Sequence, residues 1–316
     1  MRKKIFGMLY SDADWHKAVP FENREMRESY ERLYQRASDH YGMEAYRMSM
    51  HWYKDGYFDR AWAWNGSKWV KVRKRIKADV YYDKISMRYD RIGFKQEFEK
   101  KNLMINPMEL DLLASDKLLS SVMFYDIMPD TYRVSSRAEL LEGLAKIKTR
   151  KAVLKPRMGY GGAGIIIESK AKMKHRRPNA PCILQPHIDT SAGIPGLFND
   201  THDLRVNVAG DKPVMTYIRT VAPGTELCNI SQGGGICFLP VSKIPQSVKP
   251  LLKRVSDALA IFPYKFYGAD FFFQNGKPYM VELNTKPNMV YFTNNLKEEQ
   301  RMHDVVLTYV HSIMHS

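Results

Sequence analysis

The stretch Tyr279-Met-Val-Glu282-Leu-Asn284-Thr-Lys286-Pro287 decides how this chain is read. Glu282 and Asn284 stand two residues apart in an apolar run. In a β-strand that spacing puts both oxygen-bearing side chains on one face. Hard cations such as Mg²⁺ take such oxygen ligands and share them with phosphates and water. Upstream, Tyr267-Gly-Ala-Asp270-Phe-Phe-Phe-Gln-Asn275-Gly276 reads as a second strand, with a third oxygen donor and an Asn-Gly hairpin signal. A regular two-residue turn at Asn275-Gly276 sets Asp270 opposite Val281, facing away from Glu282. A third loop residue or a bulge sets Asp270 opposite Glu282. Joint metal work by Asp270 and Glu282 therefore requires the longer loop or the bulge.

Working back from this hairpin, Gly159, Gly161, Gly162 and Gly164 form a glycine-rich loop between the predicted strands Lys151–Pro156 and Ile165–Glu168. Glycine lets backbone N–H groups approach an anion and tolerates positive φ. The loop lacks the Gly-Lys-Ser/Thr ending of a P-loop. Lys155 precedes it on a strand, where an ammonium can hold phosphate oxygens, and Lys117 offers a second ammonium. For both lysines the competing reading is an ordinary surface position.

The 316 residues are 44% hydrophobic, enough for a sizeable core in two or three lobes and against wholesale disorder. No apolar run is long enough to span a membrane, and residues 5–10 read as a first strand rather than a leader peptide. Cys182, Cys228 and Cys237 match no zinc spacing, so unpaired thiols in a reducing, cytoplasmic setting are expected. No histidine stands near Cys228 or Cys237 in sequence to make either a nucleophile. His187 and His202 flank a polar loop and read as solvent-facing. The net charge of +15 concerns partners. Lys71–Lys77 and Lys170–Arg177 are basic clusters suited to a solvated face or to an acidic peptide or carrier. Nucleic acid is disfavoured because no nucleic-acid-reading motif is present.

Periodicity predicts helices over 22–41, from about 114 with Ser115 or Asp116 as its cap, over 139–148, over 251–262 and over 298–311. Ala61–Val72 reads as a hairpin around Asn65-Gly66, its aromatics packing at a core or edge, and Asp203–Ala209 with Val214–Arg219 as another. The alternation gives an α/β chain: an N-terminal α/β domain over 1–112, then 113–316, with a small lobe at about 121–187 and a larger one at about 188–316.

The ordered set Lys117, Lys155, Gly159–Gly164, Asp270, Glu282 and Asn284 resembles the ATP-grasp superfamily, the glutathione-synthetase/RimK-like ATP-binding fold, and within it the YheC/YheD-type branch. The resembling pieces are Tyr81–Ile85, Asp116-Lys117, Met128–Thr131, Leu154–Pro156, Asp203–Val206, Asn229–Gly234 and Glu282–Pro287. The resemblance implies ATP clamped between a lid and a C-terminal lobe. Lys117 and Lys155 would contact its phosphates beneath the glycine flap, and Asp270, Glu282 and Asn284 would hold Mg²⁺. It also implies Gln185 at the hinge beside the adenine, where relatives often carry glutamate, and Arg205 and Arg219 at the transferred phosphoryl group. For Arg219 the competing reading is an ordinary ion pair. The activity implied is an ATP-dependent carboxylate–amine ligase working through an acyl phosphate on an amino acid or peptide. A small-molecule kinase on the same scaffold and a non-enzymatic, spore-coat-type protein are the alternatives. Related proteins often self-associate, which leaves a homodimer open.

Overall fold

The structure is a computed structural model describing residues 2–159, 161–178, 180–221, 228, 234–288 and 295–316. The chain forms two compact units: Met1–Met108, Pro263–Phe266 and Lys286–Ser316 make the first, and Glu109–Phe262 with Tyr267–Thr285 the second. The last helix thus belongs with the N-terminal segment, where a contiguous division at 112/113 puts it in the other half. No described helix is long and apolar enough to cross a membrane.

In the first unit, β1 (Ile5–Tyr10), β2 (Glu44–Ser49), β7 (Val80–Asp83) and β8 (Met104–Ile105) form a parallel core, and β5 (Ala61–Trp64) and β6 (Trp69–Val72) extend it antiparallel. The strand order is β6-β5-β2-β1-β7-β8. Two short strands, β3 (Tyr53–Lys54) and β4 (Tyr57–Phe58), pair with each other, and α2 (Ile92–Glu99) precedes β8. Helix α1 (Arg24–Tyr41) starts where Asn23 accepts a hydrogen bond from the Met26 N–H and buries Tyr30, Leu33, Tyr34 and Ala37 at three- and four-residue steps. It meets the final helix, α8 (Leu296–His315), through two bidentate pairs, Arg32–Glu299 and Arg36–Asp304. Those charges, far apart in sequence, decide where α8 goes. Trp62 and Trp69 are buried, as the hairpin reading expects, but Trp64 pairs with Trp69. The connection is therefore four residues long, with the Asn65 carboxamide accepting from the Ser67 and Lys68 N–H groups.

The second unit opens with α3 (Met108–Ser115) and α4 (Lys117–Met123). The helix expected from about 114 under a Ser or Asp cap has Lys117 as its first residue, and the Asp116 carboxylate caps the Leu118 and Leu119 N–H groups. A four-stranded antiparallel sheet follows, ordered β11-β10-β12-β9, from β9 (Tyr132–Val134), β10 (Lys151–Pro156), β11 (Ile166–Ser169) and β12 (Cys182–Pro186). Helices α5 (Arg137–Lys146) and α6 (Lys170–Met173) accompany it. Val134, Leu140, Leu144, Ala152, Leu154, Cys182 and Leu184 pack as one core cluster on one of its faces. A five-stranded sheet comes next, ordered β15-β14-β13-β16-β17, from β13 (His202–Ala209), β14 (Lys212–Thr220), β15 (Ile236–Leu239), β16 (Phe266–Gln274) and β17 (Lys277–Asn284). Leu204, Val206, Ile218, Phe271, Phe273, Met280 and Leu283 pack against Leu252, Val255 and Leu259 in and just after α7 (Lys249–Ala258). Strands β10, β11, β12, β13, β16 and β17 each contribute residues to one cavity.

Candidate active site

The cavity lies wholly within the second unit and measures about 710 Å³. One wall is the free face of the four-stranded sheet. Val153 pairs with Gln185 and with Ile167, and Lys155 pairs with Ile183, so these five residues share a face, and four of them line the cavity: Val153, Lys155, Ile167 and Gln185. The opposite wall comes from β16 and β17, with Asp270, Phe272, Gln274, Val281 and Glu282. The cavity lining mixes apolar Val153, Ile167, Phe272 and Val281 with charged Lys117, Arg150, Lys151, Lys155, Asp189, Asp203, Asp270 and Glu282.

The hairpin takes the second of the two routes that bring Asp270 to Glu282. Gln274 pairs with Lys277, so the turn is the two-residue Asn275-Gly276, with φ of 52° and 77° as a type I′ turn requires. The register then slips between Asp270 and Phe271: Phe271 faces Met280 while Asp270 faces Glu282. Val281 is the extra residue of a β-bulge. Asn284, opposite Gly268, continues the same face.

Asp270 is almost fully buried and engaged by guanidinium groups. Arg205 donates to both its oxygens at 2.5 Å, and Arg219 donates to it at 2.6 Å and also to Asp203. Burial alone raises a carboxyl's pKa, yet the two arginines hold Asp270 below the ordinary value. Asp203, with burial outweighing Arg219 and with Asp270 as a like-charged neighbour, is pushed up to about 7. Gly268 makes room for this network: a Cβ there would sit 3.2 Å from Arg205 Cδ and 2.9 Å from Asn207 Oδ1. Arg205 and Arg219 lie under the cavity wall, spent on carboxylates; neither lines the cavity.

Lys117 is the first residue of α4, and its ammonium donates to the Gly159 carbonyl at 2.8 Å and stands 3.6 Å from Glu282 Oε1. The glycine loop is rooted beside it. Arg157 donates to both oxygens of Asp116, and the Lys117 N–H donates to the Arg157 carbonyl. Gly159 and Gly162 line the cavity, whereas Gly161 and Gly164 serve the bend. Gly164 has φ of 74°, and a Cβ there would meet Pro156 Cγ at 2.8 Å. Gly164→Ala is therefore expected to cost about 1–3 kcal/mol in strain and displace the loop. Chemical denaturation and nucleotide titration of that variant read the two effects, and unchanged values in both would overturn the loop assignment.

Lys155 is enclosed, and burial, with Lys117 as a like-charged neighbour and Glu282 opposing, brings its ammonium down to about 8. Gln185 is buried and donates to Thr131 Oγ1 at 2.8 Å, which fixes its amide at the wall. Cys228 is buried, and its thiol is pushed up to about 12, chiefly by burial, which removes it as a nucleophile at neutral pH. His202 is fully buried between the rings of Phe198 and Phe273, contrary to the solvent-facing reading, because its ring nitrogen reaches the Asp200 carbonyl. Most of the Asn229–Gly234 segment lies outside the described residues. Sequence reasoning missed Asp203, Phe272 and Val281 as residues lining the cavity; strand alternation around Asp270 was the signal for Phe272.

Compared by sequence, the chain matches no protein-family model and no curated protein. Compared by structure, it is similar to D-alanyl-alanine synthetase A from Vibrio cholerae (TM-score 0.63, 12% identity, 99% of this chain and 99% of that one). It is similar to a RimK domain ATP-grasp protein from Sphaerobacter thermophilus (TM-score 0.62, 14% identity, 96% of this chain and 98% of that one). It is also similar to the D-alanine–D-alanine ligase from Bacillus anthracis (TM-score 0.61, 12% identity, 99% of this chain and 98% of that one). Two mixed-charge walls around one cavity, a glycine loop over one end, and this length of structural likeness lead to one conclusion: the chain has the ATP-grasp fold.

Proposed function

We propose that this protein is an ATP-dependent carboxylate–amine ligase of the YheC/YheD type, making an amide on an amino acid or peptide and releasing ADP and phosphate. One observation carries the reading. Lys117, Lys155, the Gly159–Gly162 loop, Gln185, Asp270 and Glu282 converge on a single cavity although they are spread over 166 positions of sequence, from 117 to 282. The structural relatives include proteins named as D-alanine–D-alanine ligase, D-cycloserine synthetase and the ATP-grasp ligase PsnB, which supports amide formation as the reaction class.

The residues fit a nucleotide and a divalent cation. The adenine ring would take the slot between Val153, Ile167, Phe272 and Val281, with the Gln185 edge beside it. Lys155 and Lys117 would meet the phosphates under the glycine loop. Glu282 and Asn284 would offer oxygen donors from one strand face, and among the described residues no cluster of three His, Cys, Asp or Glu could hold a metal alone. That donor set suits Mg²⁺, which takes one or two carboxylates and completes its shell with phosphates and water. When bound, the ion would neutralise phosphate charge. Arg205 and Arg219 set the shape and charge of the wall through Asp270. Catalysis here is positioning plus charge neutralisation, with no covalent enzyme intermediate.

The deciding experiment is an ADP-release screen over amino acids and peptides followed by mass spectrometry of the product. An amide supports the ligase; a phosphorylated hydroxyl with no amide overturns it. A second test uses pH. Only the protonated Lys155 attracts a triphosphate, and its ammonium titrates near 8. Nucleotide affinity is therefore expected to fall as pH rises from 7 to 9.5, and Lys155→Arg, which keeps its charge, should flatten the profile. Equal slopes for both proteins would remove Lys155 from phosphate binding. The stability sign is opposite. A lysine depressed in the folded state binds fewer protons there than unfolded, so its penalty eases as pH rises through 8 toward 10.5.

A further inference from the structure

The cations of the first unit are distributed unevenly. Lys17, Arg24, Arg32, Arg36, Arg47 and Lys100 each have a carboxylate partner. Residues 60–78 instead hold seven cations and no acid. Six of them, Lys68, Lys71, Arg73, Lys74, Arg75 and Lys77, are exposed, and among the described residues none forms an ion pair. A run of like charges is normally a loose, solvated tail. This one is a fixed ribbon. Ile76 is buried and exchanges two backbone hydrogen bonds with Phe58, at 2.8 and 2.9 Å. Aromatic rings hold the cations in place: Lys71 lies 5.2 Å from the Trp62 ring centroid and Arg73 5.8 Å from that of Trp15. Lys74 lies 5.6 Å from Tyr46 and Arg75 4.1 Å from Tyr57. The ribbon continues β6, the edge strand of its sheet.

We propose that the ribbon Lys68–Lys77 is a docking surface for an acidic, extended polypeptide segment laid beside β6. The charge calls for a polyanion. Two features favour polypeptide over nucleic acid. An edge strand presents backbone groups that an extended peptide can pair with. Single-stranded nucleic acid relies on free aromatic faces for stacking, and the rings here are taken up by the protein's own cations. One lysine on β6 is enough to guard an edge against stray pairing; six ordered, unpaired cations exceed that need. The surface lies in the first unit and the cavity in the second, so this inference stands or falls apart from the nucleotide chemistry.

The test uses the full chain and a fluorescein-labelled poly-L-glutamate of about twenty residues, followed by anisotropy across a salt series. An uncharged Gly-Ser peptide and a twenty-base oligothymidylate are the comparison probes. Poly-glutamate is expected to bind with salt-sensitive affinity. The variant Arg73→Glu/Lys74→Glu/Arg75→Glu should lose about thirtyfold, which corresponds to about 2 kcal/mol, with ADP release unchanged. The milder Lys74→Gln/Arg75→Gln serves should the triple variant not fold, and should lose part of the affinity. Amide exchange over residues 69–72 should slow when the peptide is present. Reversing Lys172, Lys174 and Arg177, the second basic cluster, should leave affinity unchanged. An equal loss from that cluster, no slowing along β6, or tighter binding of the oligothymidylate would each overturn the proposal.

Discussion

Glu282→Ala is expected to reduce ADP production by at least about a hundredfold while the protein unfolds within a few degrees of the parent. The two halves of that expectation come from one geometry. Glu282 faces the cavity and is a third exposed, and the acidic oxygen nearest Lys117 is its own, at 3.6 Å. Removing it takes away a group aimed at the phosphate end of the site; deletion of one such group costs about 10²–10³ in rate. It removes little packing, and the buried Lys117, which loses its carboxylate neighbour, keeps its hydrogen bond to the Gly159 carbonyl. A surface-accessible truncation of this kind stays within about 1 kcal/mol, and for a chain of this size that is a shift of roughly 2–4 °C. Steady-state ADP release and thermal unfolding on the same preparation give both numbers. Parent-like turnover would take Glu282 out of the mechanism.

Much of the site was legible because strands announce themselves by alternation. Lys155, Gln185, Asp270, Glu282 and Asn284 could be put on strands, and Glu282 and Asn284 on one face, from residue order alone. The bulge at Val281 was not legible. Val, Glu and Leu at that point fit a regular strand equally well, so the sequence allowed two registers, and the structure selects the one joining Asp270 to Glu282. The membership of α8 was hidden for a similar reason. Its amphipathic pattern shows that it packs, whereas the partner is chosen by Glu299 and Asp304 meeting Arg32 and Arg36, residues more than 250 positions away. For Arg219 an ion pair was one of two open readings, and the partners of Arg205 and Arg219 could not be read. Their sequence neighbours show two cations on adjacent strands; only the three-dimensional arrangement shows both turned onto Asp270.

That arrangement makes Asp270→Asn the most destabilising change expected at the site. The side chain is nearly inaccessible and accepts from two guanidinium groups, which are themselves buried. The carboxamide is almost isosteric, so packing is kept while the charge is lost. Arg205 then loses the carboxylate it is paired with, and Arg219 keeps only Asp203. Breaking a buried pair by removing one partner costs about 3–5 kcal/mol, since the remaining charge has no compensation. The thermal midpoint should drop by roughly 6–20 °C, far more than for Glu282→Ala, and ADP release should fail as well. The double variant Asp270→Asn/Arg219→Met separates the causes. It removes one of the stranded cations and should recover part of the stability without restoring turnover. If Asp270→Asn unfolded like the parent, the network would be a peripheral ion pair and Asp270 would be free for other ligands. If the double variant recovered no stability, the loss would come from packing and not from charge.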